Sequence, residues 1–549
     1  MNLNKLICSY LVALTLSATS LMTAQNKAYI QNPVLPGFHP DPCAVSVGGD
    51  YYIVNSTFEW FPGIPVYHSK DLVNWEQIGN VLTRKSQLDL TGCRDAKGIY
   101  APSITYHKGL FYVTYTVVQE GLSWSLQEYP NYIVTAKDPK GPWSEPVLVN
   151  ALGFDPFFFI DDNDKAYVIV RIFDHRKGEQ PSPGIGLHEV DLKTLQPIGE
   201  PKFIYSGWAK RSAEGPKLLK KDGYYYLFTA EGGTDYSHYQ AVARSRNIWG
   251  PYERAPRIIY TARDCPDAPI QKAGHGTLFA TPDGEWYTTH LGSRPLTVKG
   301  NCPLGRETYL QKIKWNSEGW PELASGDSIP VLKVEAPRNV VAMTNCKRED
   351  NDDFTARQLD FKYCTLREPD SDDWLKYDSA KGVLSLRGRS ALGGLLRQSL
   401  IAQRVTSLKQ QFETKMEFNP TNFRHSAGLC CYYNSRHFYQ LGLTFEENRG
   451  PVLELRGADK KYQEFLPGKI QVNSTSIYMR MQIAREEVKF FYSLDGKKWQ
   501  PIGPALDFGK ISDDYAGGYT GAMVGLYAQD LMYENQWAHF DYFNVSTGD

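Results

Sequence analysis

Several signals that would define other classes of protein are missing from this sequence. Long stretches with a helical hydrophobic period do not occur, which argues against a mainly helical fold. There is no GxSxG motif, no phosphate-binding glycine loop and no metal-triad spacing, so several common hydrolytic mechanisms lack their residues. The 549 residues contain 60 Lys and Arg against 61 Asp and Glu, a net charge of −1, without a basic stripe. Nucleic acid is therefore not the expected partner.

Cysteine provides no framework either. Nine cysteines occur, eight of them after the N-terminal leader, and no CxxC pair is present. We expect most of them to be buried small hydrophobic side chains, and the pattern leaves disulfide pairing undecided. Cys430 and Cys431 are adjacent, so on a strand they would face opposite ways.

The first 24 residues, MNLNKLICSYLVALTLSATSLMTA, predict a secretory signal peptide. They combine one lysine, an apolar middle and a small-residue end. The apolar run is short for a membrane span, and no later segment has a transmembrane pattern, so membrane insertion is not expected. The alternative is a disordered or weakly buried N-terminus. The expected location of the protein is periplasmic or extracellular.

Aromatic strand starts recur along the first 340 residues and predict the fold. Their marker tyrosines are separated by 60, 55, 59 and 61 residues: Tyr52, Tyr112, Tyr167, Tyr226 and Tyr287. Each start is rich in strand-forming residues, is bounded by turn residues, and is followed by a second strand. Five similar units predict a five-bladed β-propeller over residues 28–340. A set of β-sandwiches is the alternative, but it would not need five copies of one unit.

The repeat is lost after about residue 345, where the charged segment KREDNDDF indicates a domain boundary. Alternating strands such as FETKMEF, YQLGLTF and YMRMQIA follow, separated by turn signals. They predict a β-sandwich over residues 350–549. The expected fold is therefore all-β, a five-bladed propeller followed by a C-terminal β-sandwich.

The innermost strands of a propeller run the same way beside the central channel, so equivalent positions meet at one end of it. Counting 11 or 12 residues back from each marker tyrosine reaches Asp41, Ala101, Asp155, Glu214 and His275. Any one of these sites has an ordinary explanation, since Asp and Pro are common at strand-entry turns. Three carboxylates and a histidine in one register indicate a functional site, because clustered like charges are costly and push pKa values apart.

Carboxylates with different pKa values suit the cleavage of a glycosidic bond. A protonated one gives its proton to the leaving oxygen, and an ionised one activates water on the opposite face. A third carboxylate keeps the pKa of the acid high and positions it. Aromatic residues make up 13% of the sequence and supply flat rings that also stack on sugars.

Motifs in the same order make the sequence similar to the family 43 glycoside hydrolases, in particular to the β-xylosidases and α-L-arabinofuranosidases with a C-terminal sandwich. The motifs are GFHPDP, STFEWFPGIPVYHSKDLVNW, GFDPFFFIDD, AEGPKLLKKDGYYYL, AGHGTLF and CPLGRETYLQKIKW. The resemblance covers nearly all of the chain from Asn32 onward. It implies a propeller, a concanavalin A-like sandwich and an inverting mechanism. In that mechanism Asp41 is the general base, Glu214 the general acid, and Asp155 the residue that tunes the pKa of the acid and orients it.

The resemblance also implies substrate-binding roles for Phe58, Tyr100, Phe173, His275 and Arg306. A core position for Phe58, a surface ion pair for Arg306 and a buried hydrogen-bonded state for His275 are the alternatives. Trp60 and Phe61 are expected in the core. No cofactor is required. A structural calcium ion near His275, as in some relatives, stays an alternative, because one histidine is not a metal site.

Two aromatic positions bear on the substrate. Tyr100 and Phe173 stand where β-xylosidase relatives commonly carry Trp, and a smaller ring leaves more room. We therefore expect an exo-acting, inverting α-L-arabinofuranosidase that releases terminal arabinofuranose from hemicellulose-derived oligosaccharides. The alternatives are a β-D-xylosidase or dual-specificity enzyme, an endo-acting arabinanase or xylanase, and a non-catalytic sugar-binding propeller. The expected partner is an oligosaccharide or polysaccharide, and the oligomeric state is open.

The C-terminal sandwich has two predicted roles. It is either a carbohydrate-binding module or a domain that packs on the propeller and helps to close the pocket. Within it, the segment SDDYAGGYTGAM at residues 512–523 is rich in Gly and Tyr. This loop is predicted either to reach the active site or to form an ordinary surface turn.

Overall fold

The structure, a computed structural model, describes residues 28–119, 127–174, 182–208, 213–340, 351–356, 358–460 and 462–548. The predicted leader at residues 1–24 lies outside these ranges. Within them the regular structure is almost entirely β, with one short α-helix at Asp513–Ala516 and one 3₁₀ turn at Phe508–Lys510. In this part of the chain, no helix has the length and apolar character needed to cross a membrane.

Five antiparallel sheets follow one another along the chain and confirm the predicted propeller. In each sheet the strands pair in sequence order, and glycines with positive φ, such as Gly48 and Gly223, turn the first strand into the second. Blade 1 contains Cys43–Val47, Asp50–Val54, Gly63–Ser69 and Glu76–Leu82; blade 2 contains Gly98–His107, Leu110–Val118, Asn131–Ala136 and Val147–Asn150; blade 3 contains Gly153–Ile160, Ala166–Asp174, Ser182–Val190 and Lys202–Tyr205; blade 4 contains Glu214–Lys221, Tyr224–Glu231, Tyr239–Ser245, Glu253–Arg254 and, paired with its third strand, Tyr260–Thr261; blade 5 contains Gln271–Ala280, Trp286–Ser293, Glu307–Trp315 and Pro321–Leu323.

The N-terminal segment connects blade 1 to blade 5. Tyr29–Gln31 pairs with Lys333–Glu335, which follows the last blade. The backbones of Leu35 and Thr308 exchange hydrogen bonds of 3.2 and 3.1 Å. Because Thr308 lies in the third strand of blade 5, the chain that leads into the GFHPDP motif is fixed against the last blade. This brings the first and last blades together at one channel mouth.

Two antiparallel sheets form the C-terminal domain and confirm the predicted sandwich. They enclose a core of apolar side chains that includes the fully buried Phe412, Leu441 and Met479. One sheet contains, in spatial order, Tyr462–Phe465, Gly450–Asp459, His437–Glu446, His425–Asn434, Met523–Asp530, Ser399–Arg404, Cys364–Leu366 and Trp60–Phe61, with Ile470–Gln471 paired to Gly450–Asp459. The other contains Leu375–Asp378, Val383–Arg387, Trp537–Thr547, Lys409–Glu417, Ser476–Ala484, Glu487–Ser493 and Gln500–Asp507.

The two domains share a sheet and buried ion pairs. Trp60–Phe61 comes from the propeller but forms an edge strand of the sandwich, paired with Cys364–Leu366. Both aromatic side chains are buried, as predicted. In blade 5, Lys272 is 1% exposed, and its Nζ lies 2.6 Å from Oδ1 of Asp514 in the sandwich. The sandwich is therefore packed on the propeller through both apolar and charged contacts.

The cysteines that the structure describes are free thiols. Five are buried: Cys43, Cys302, Cys364, Cys430 and Cys431. The Cys431 side chain lies in the core between the two sandwich sheets, whereas Cys430 packs into a cluster with Trp60 and Tyr432 on the opposite face. The two neighbours therefore face opposite ways, as their adjacency on a strand predicts.

Candidate active site

Near the start of the innermost strand, every blade has a residue with a left-handed backbone at the equivalent position. The φ angle is 53° at Asp41, 26° at Ala101, 58° at Asp155, 56° at Gly215 and 53° at His275. In blades 2 to 5 the strand pairing breaks its register across this residue. Bulges of this kind re-aim side chains, and left-handed non-glycine residues cluster at functional sites. We call these five residues the inner ring.

The inner ring corrects one element of the sequence prediction. The count from the marker tyrosines places Glu214 in the same register as Asp41, and this is wrong, because Gly215 occupies that position. The hairpin after the innermost strand has two residues in blades 1, 2 and 4 but five in blades 3 and 5. The count is therefore 11 residues in the first group and 12 in the second. In blade 4 it leads from Tyr226 to Gly215.

The residues one position earlier form a second set, which we call the outer ring: Pro40, Tyr100, Phe154, Glu214 and Gly274. The rings of Tyr100 and Phe154 meet edge to face with their centroids 6.1 Å apart. Glu214 shares the position of these aromatic residues. Its side chain is 18% exposed, against 5% for Asp41. The carboxylate of Glu214 therefore belongs to the wall of the pocket, whereas that of Asp41 lies deeper.

Asp41 is a buried carboxylate held by three neighbours. Its Oδ1 accepts a hydrogen bond from Arg306 Nη1 at 2.7 Å and lies 3.4 Å from His275 Nδ1. Its Oδ2 accepts from the Ser56 hydroxyl at 2.6 Å, and the Ala101 N–H donates to that hydroxyl at 2.7 Å. Burial alone would raise the pKa of Asp41, but the Arg306 guanidinium, His275 and Ser56 outweigh it and hold the pKa well below its ordinary value. Asp41 is therefore ionised, as a general base has to be.

Asp155 is also buried, but its surroundings have the opposite net effect. Its Oδ2 accepts a hydrogen bond from the Gly215 N–H at 2.9 Å. Burial raises the pKa of Asp155 to about 6; His275 opposes this rise, and the negative charges of Glu214 and Asp41 add to it. The mouth of the channel thus combines carboxyl groups with different proton affinities, which acid–base catalysis exploits.

Position 215 requires glycine for two reasons. Its φ of 56° is unfavourable for a residue with a side chain, and an added Cβ would lie 2.6 Å from the His275 ring. The close approach of this backbone allows the Gly215 N–H to reach Asp155. Because Gly215 directly follows Glu214, this bond also fixes the backbone that carries the Glu214 carboxylate.

Glu214 lies against a basic side chain of the neighbouring blade. Its Oε2 accepts a hydrogen bond from Nη1 of Arg171, which lies on Ala166–Asp174 in blade 3. The Arg171 guanidinium also lies 5.1 Å from the centroid of the Phe154 ring. Arg171 therefore holds the glutamate close to the aromatic wall of the pocket.

Aromatic rings from both domains surround the carboxylates. Phe58 packs on Tyr100 with a centroid distance of 4.9 Å and stacks on Tyr519 of the sandwich at 5.9 Å with an interplanar angle of 25°. The Arg306 guanidinium lies 5.6 Å from the Phe58 ring and 5.7 Å from the Tyr519 ring. These rings and the guanidinium form a pocket wall with the flat apolar faces that sugar rings stack on.

The loop at residues 512–523 reaches the site, so the surface-turn alternative is wrong. Arg306 Nη2 donates to the carbonyl of Tyr519 at 3.2 Å. Further back in the loop, Lys272 binds Asp514, and Asp514 Oδ2 accepts from the Cys302 N–H at 2.8 Å. The loop is thus tied to blade 5 at both ends, and the sandwich contributes to the pocket.

Seven of the eight predicted site residues meet at this mouth: Asp41, Phe58, Tyr100, Asp155, Glu214, His275 and Arg306. The eighth, Phe173, pairs with Pro183 in the sheet of blade 3, and its side chain lies outside the described residues. His275 is buried beside Asp41. Among the described residues, no three His, Cys, Asp or Glu side chains are grouped so that they could hold a metal ion.

Besides Gly215, three residues of this site were not predicted from the sequence. Ser56 lies in the quoted STFEW motif, and its hydroxyl near an aromatic cluster was an available signal. Phe154 shares the outer-ring position with Tyr100, so a correct register would have identified it. No sequence pattern indicates Arg171, because its position depends on the packing of blade 3 against blade 4.

Cleavage of a glycosidic bond is the chemistry that this arrangement fits. An ionised buried aspartate, a second aspartate with a raised pKa and a glutamate in the wall provide the acid and base groups that such cleavage needs. Fold and site together define a propeller-type glycoside hydrolase.

Comparison with known proteins identifies the family. The family model described as "Glycosyl hydrolases family 43" matches residues 30–321. A second model, "Beta xylosidase C-terminal Concanavalin A-like domain", matches residues 351–546. The chain belongs to glycoside hydrolase family 43.

Relatives and solved structures match this chain over nearly its whole length. A "Xylan 1,3-beta-xylosidase" of Vibrio sp is 40% identical over 532 residues, covering 94% of this chain and 98% of that protein. A "Non-reducing end alpha-L-arabinofuranosidase" of Bacteroides ovatus is 33% identical and covers 94% of both chains. The crystal structure of a xylan beta-1,4-xylosidase from Bacillus halodurans C-125 superimposes with a TM-score of 0.91 at 42% identity, covering 94% of this chain and 100% of that one.

Proposed function

We propose that this enzyme is an exo-acting, inverting β-D-xylosidase that removes terminal xylose from xylo-oligosaccharides. The observation that carries the proposal is the set of Asp41, Asp155 and Glu214 at one channel mouth, beside an aromatic wall. The arabinofuranosidase preferred from the sequence alone becomes the second candidate, because the relatives are mostly named β-xylosidases.

Each carboxyl group has a distinct task in the proposed mechanism. Asp41 takes a proton from a water molecule that attacks the anomeric carbon, and its ionised state suits this task. Glu214 donates a proton to the leaving oxygen from the opposite face, so the configuration at the anomeric carbon inverts. Asp155 orients the acid through its hydrogen bond to the Gly215 N–H.

Exo action is supported by the contribution of the second domain. Tyr519 stacks on Phe58, and its carbonyl accepts a hydrogen bond from Arg306, which also binds Asp41. A wall this close to the base carboxylate limits the space beyond the sugar that is cleaved. An endo-acting enzyme needs a groove that continues on both sides of the scissile bond.

α-L-Arabinofuranosidase activity is the second candidate, and Tyr100 favours it. Its hydroxyl donates to the Ala96 carbonyl at 2.7 Å, and its ring contacts Phe58, so its position is fixed. A tyrosine is smaller than the Trp common in β-xylosidase relatives and leaves space for a differently shaped pentose ring. The named arabinofuranosidase among the relatives points the same way.

A substrate screen tests the proposal. The purified enzyme is assayed with p-nitrophenyl β-D-xylopyranoside, p-nitrophenyl α-L-arabinofuranoside and xylo-oligosaccharides, and the first-formed anomer is followed by NMR. We expect xylose to appear first as the α-anomer. The β-anomer as first product would contradict inversion, internal fragments would contradict exo action, and binding without any release would support a non-catalytic sugar-binding protein.

Replacing Glu214 with Gln tests the acid. General acid catalysis contributes about 10²–10⁴-fold, so kcat on xylobiose should fall by about that factor. The loss should be smaller on the p-nitrophenyl glycoside, whose leaving group needs little protonation. Glu189→Gln is a matched control, because Glu189 pairs with Lys165 away from the mouth and should retain activity. Equal losses on both substrates would contradict the role of Glu214 as the acid.

We infer that the enzyme acts after export, because the N-terminal 24 residues have the pattern of a signal peptide. Cell fractionation tests this inference. Activity is expected in the periplasmic or extracellular fraction, and activity confined to the cytoplasm of the native host would contradict it.

A further inference from the structure

Lys217 is a buried lysine that the proposed mechanism leaves without a role. It lies on the innermost strand of blade 4, two residues beyond Gly215, and is 2% exposed. Its Nζ has no hydrogen-bond partner among the described residues. The ammonium lies 5.6 Å from the centroid of the Phe157 ring, so the side chain extends toward blade 3. A buried ammonium that makes no hydrogen bond is costly unless opposite charge lies nearby, and an aromatic ring offsets only part of that cost.

The opposite charge is that of Asp155. Phe157 is two residues beyond Asp155, just as Lys217 is two residues beyond Gly215, and the Gly215 N–H binds Asp155. The ammonium therefore lies one step below the inner ring, on the blade 3 side of the channel, and makes no direct ion pair with Asp155. Its positive charge favours the ionised form of that carboxylate through space. The other groups that act on Asp155 are His275, Glu214 and Asp41.

Two carboxylates of the mouth have a basic side chain in direct contact. Asp41 binds Arg306 at 2.7 Å, and Glu214 binds Arg171. Lys217 supplies a third positive charge, which acts on Asp155 without touching it. The negative charge that would attract a divalent cation is therefore already compensated by protein side chains, and a calcium ion near His275 does not fit this set of residues.

We propose that Lys217 is the built-in counter-ion of Asp155, a positioning residue whose ammonium makes a divalent cation in the channel unnecessary for catalysis. The inference rests on the proposed function, since Asp155 serves there to orient the acid. A purely structural role for Lys217 would depend on the volume of its side chain, whereas the proposed role depends on its positive charge.

The test compares Lys217→Met, which keeps the approximate volume and removes the charge, with Lys217→Arg, which keeps the charge. The pH profile of kcat/KM is measured for each, because its acid limb reports an essential carboxyl group of the free enzyme. Loss of the opposite charge raises the pKa of Asp155 further, so the acid limb of Lys217→Met should move up by about 1 pH unit, the low end of the range for an opposite charge, because the two groups form no direct ion pair. At a pH below the limb, kcat/KM should fall about tenfold for each pH unit by which the limb moves. Lys217→Arg should keep the wild-type limb.

Lys220→Met is the matched control. Lys220 lies three residues further along the same strand and binds Asp161 at 2.5 Å, away from the mouth. It should leave the acid limb unchanged. A limb that does not move in folded Lys217→Met, or that moves equally in Lys217→Arg, would overturn the proposal.

The wild-type enzyme provides an independent arm that does not need the variants to fold. Its kcat/KM and its unfolding midpoint should be the same in EDTA and in excess CaCl2. Activity that is lost in EDTA and restored by calcium would overturn the proposal, as would a calcium-dependent rise in the unfolding midpoint that His275→Ala abolishes. The proposed function fails separately, if the wild-type enzyme releases no pentose from any substrate in the screen.

Discussion

Replacing Asp155 with Asn is expected to stabilise the protein at neutral pH while it lowers activity. Burial raises the pKa of Asp155 from 3.8 to about 6, so the native state binds this proton more tightly than the unfolded chain does. At about 1.4 kcal/mol per pH unit, this difference in pKa corresponds to about 3 kcal/mol. Above the folded pKa, the ionised carboxylate lowers the free energy of unfolding by up to that amount. An amide of the same shape is neutral and still accepts from the Gly215 N–H.

The gain in stability should depend on pH in one direction. It is fully present above about pH 6, decreases as the pH falls from about 6 to 3.8, and disappears below 3.8, where Asp155 is protonated in both states. Thermal and urea unfolding of the wild type and of Asp155→Asn, measured over this range, check the prediction. Activity on xylobiose is measured in parallel and should fall, since the residue proposed to orient the acid loses its charge.

Asp161→Asn is the matched control with the opposite sign. Asp161 directly follows the innermost strand of blade 3, which also carries Asp155. Its carboxylate binds Lys220 at 2.5 Å and the Tyr225 hydroxyl at 2.5 Å. Burial would raise the pKa of Asp161, but these two hydrogen bonds outweigh it and lower the pKa, so its amide should reduce stability at neutral pH. An Asp155→Asn protein that is less stable than the wild type at neutral pH, or a difference that does not vary with pH, would refute the reasoning.

Three further substitutions test the geometry of the pocket. Arg306→Met leaves the buried Asp41 without its guanidinium partner and should cost about 3–5 kcal/mol of stability, measured by urea unfolding, together with most of kcat. Tyr519→Ala removes two aromatic contacts worth about 0.5–1.5 kcal/mol each and should raise KM for xylobiose, whereas Tyr519→Phe should retain the wild-type KM. Gly215→Ala places a Cβ 2.6 Å from the His275 ring in a left-handed backbone and should lower both the unfolding midpoint and kcat; an unchanged kcat would contradict a tight fit at this position.

The repeat of aromatic strand starts was sufficient to predict the propeller, because each blade is a local antiparallel unit and its strands pair in sequence order. The two carboxylates of the inner ring, Asp41 and Asp155, follow from the same repeat. The one-residue error at Glu214 arises because the length of the first hairpin differs between blades. In blade 4 the short turn is visible in the sequence as Lys-Asp-Gly-Tyr, whereas blade 3 has a longer turn. A count that included the turn would have found Gly215.

Other parts of the site could not be predicted from local pattern. Arg171 binds Glu214, and Lys217 packs against the Phe157 ring, across the boundary between blades 3 and 4, and nothing in the sequence near them specifies these contacts. Tyr519 lies more than two hundred residues beyond Arg306, and only the packing of the sandwich on the propeller brings its ring to Phe58. Contacts of this kind depend on how the folded blades and the two domains pack against one another.

The one-residue offset of Glu214 has a chemical consequence. A residue of the inner ring, such as Asp41 or Asp155, is directed into the crowded mouth, where it is buried among fixed charges and hydrogen-bond donors. A residue of the outer ring lies in the wall with Phe154 and keeps contact with the pocket space. An acid has to exchange its proton with solvent after each turnover, whereas a base that must stay ionised benefits from permanent partners. Placing Asp41 in the inner ring and Glu214 in the outer ring gives each carboxylate the environment that its proposed task requires. The bulge at Gly215 connects the two rings, because its N–H binds Asp155 and its backbone carries on directly from Glu214.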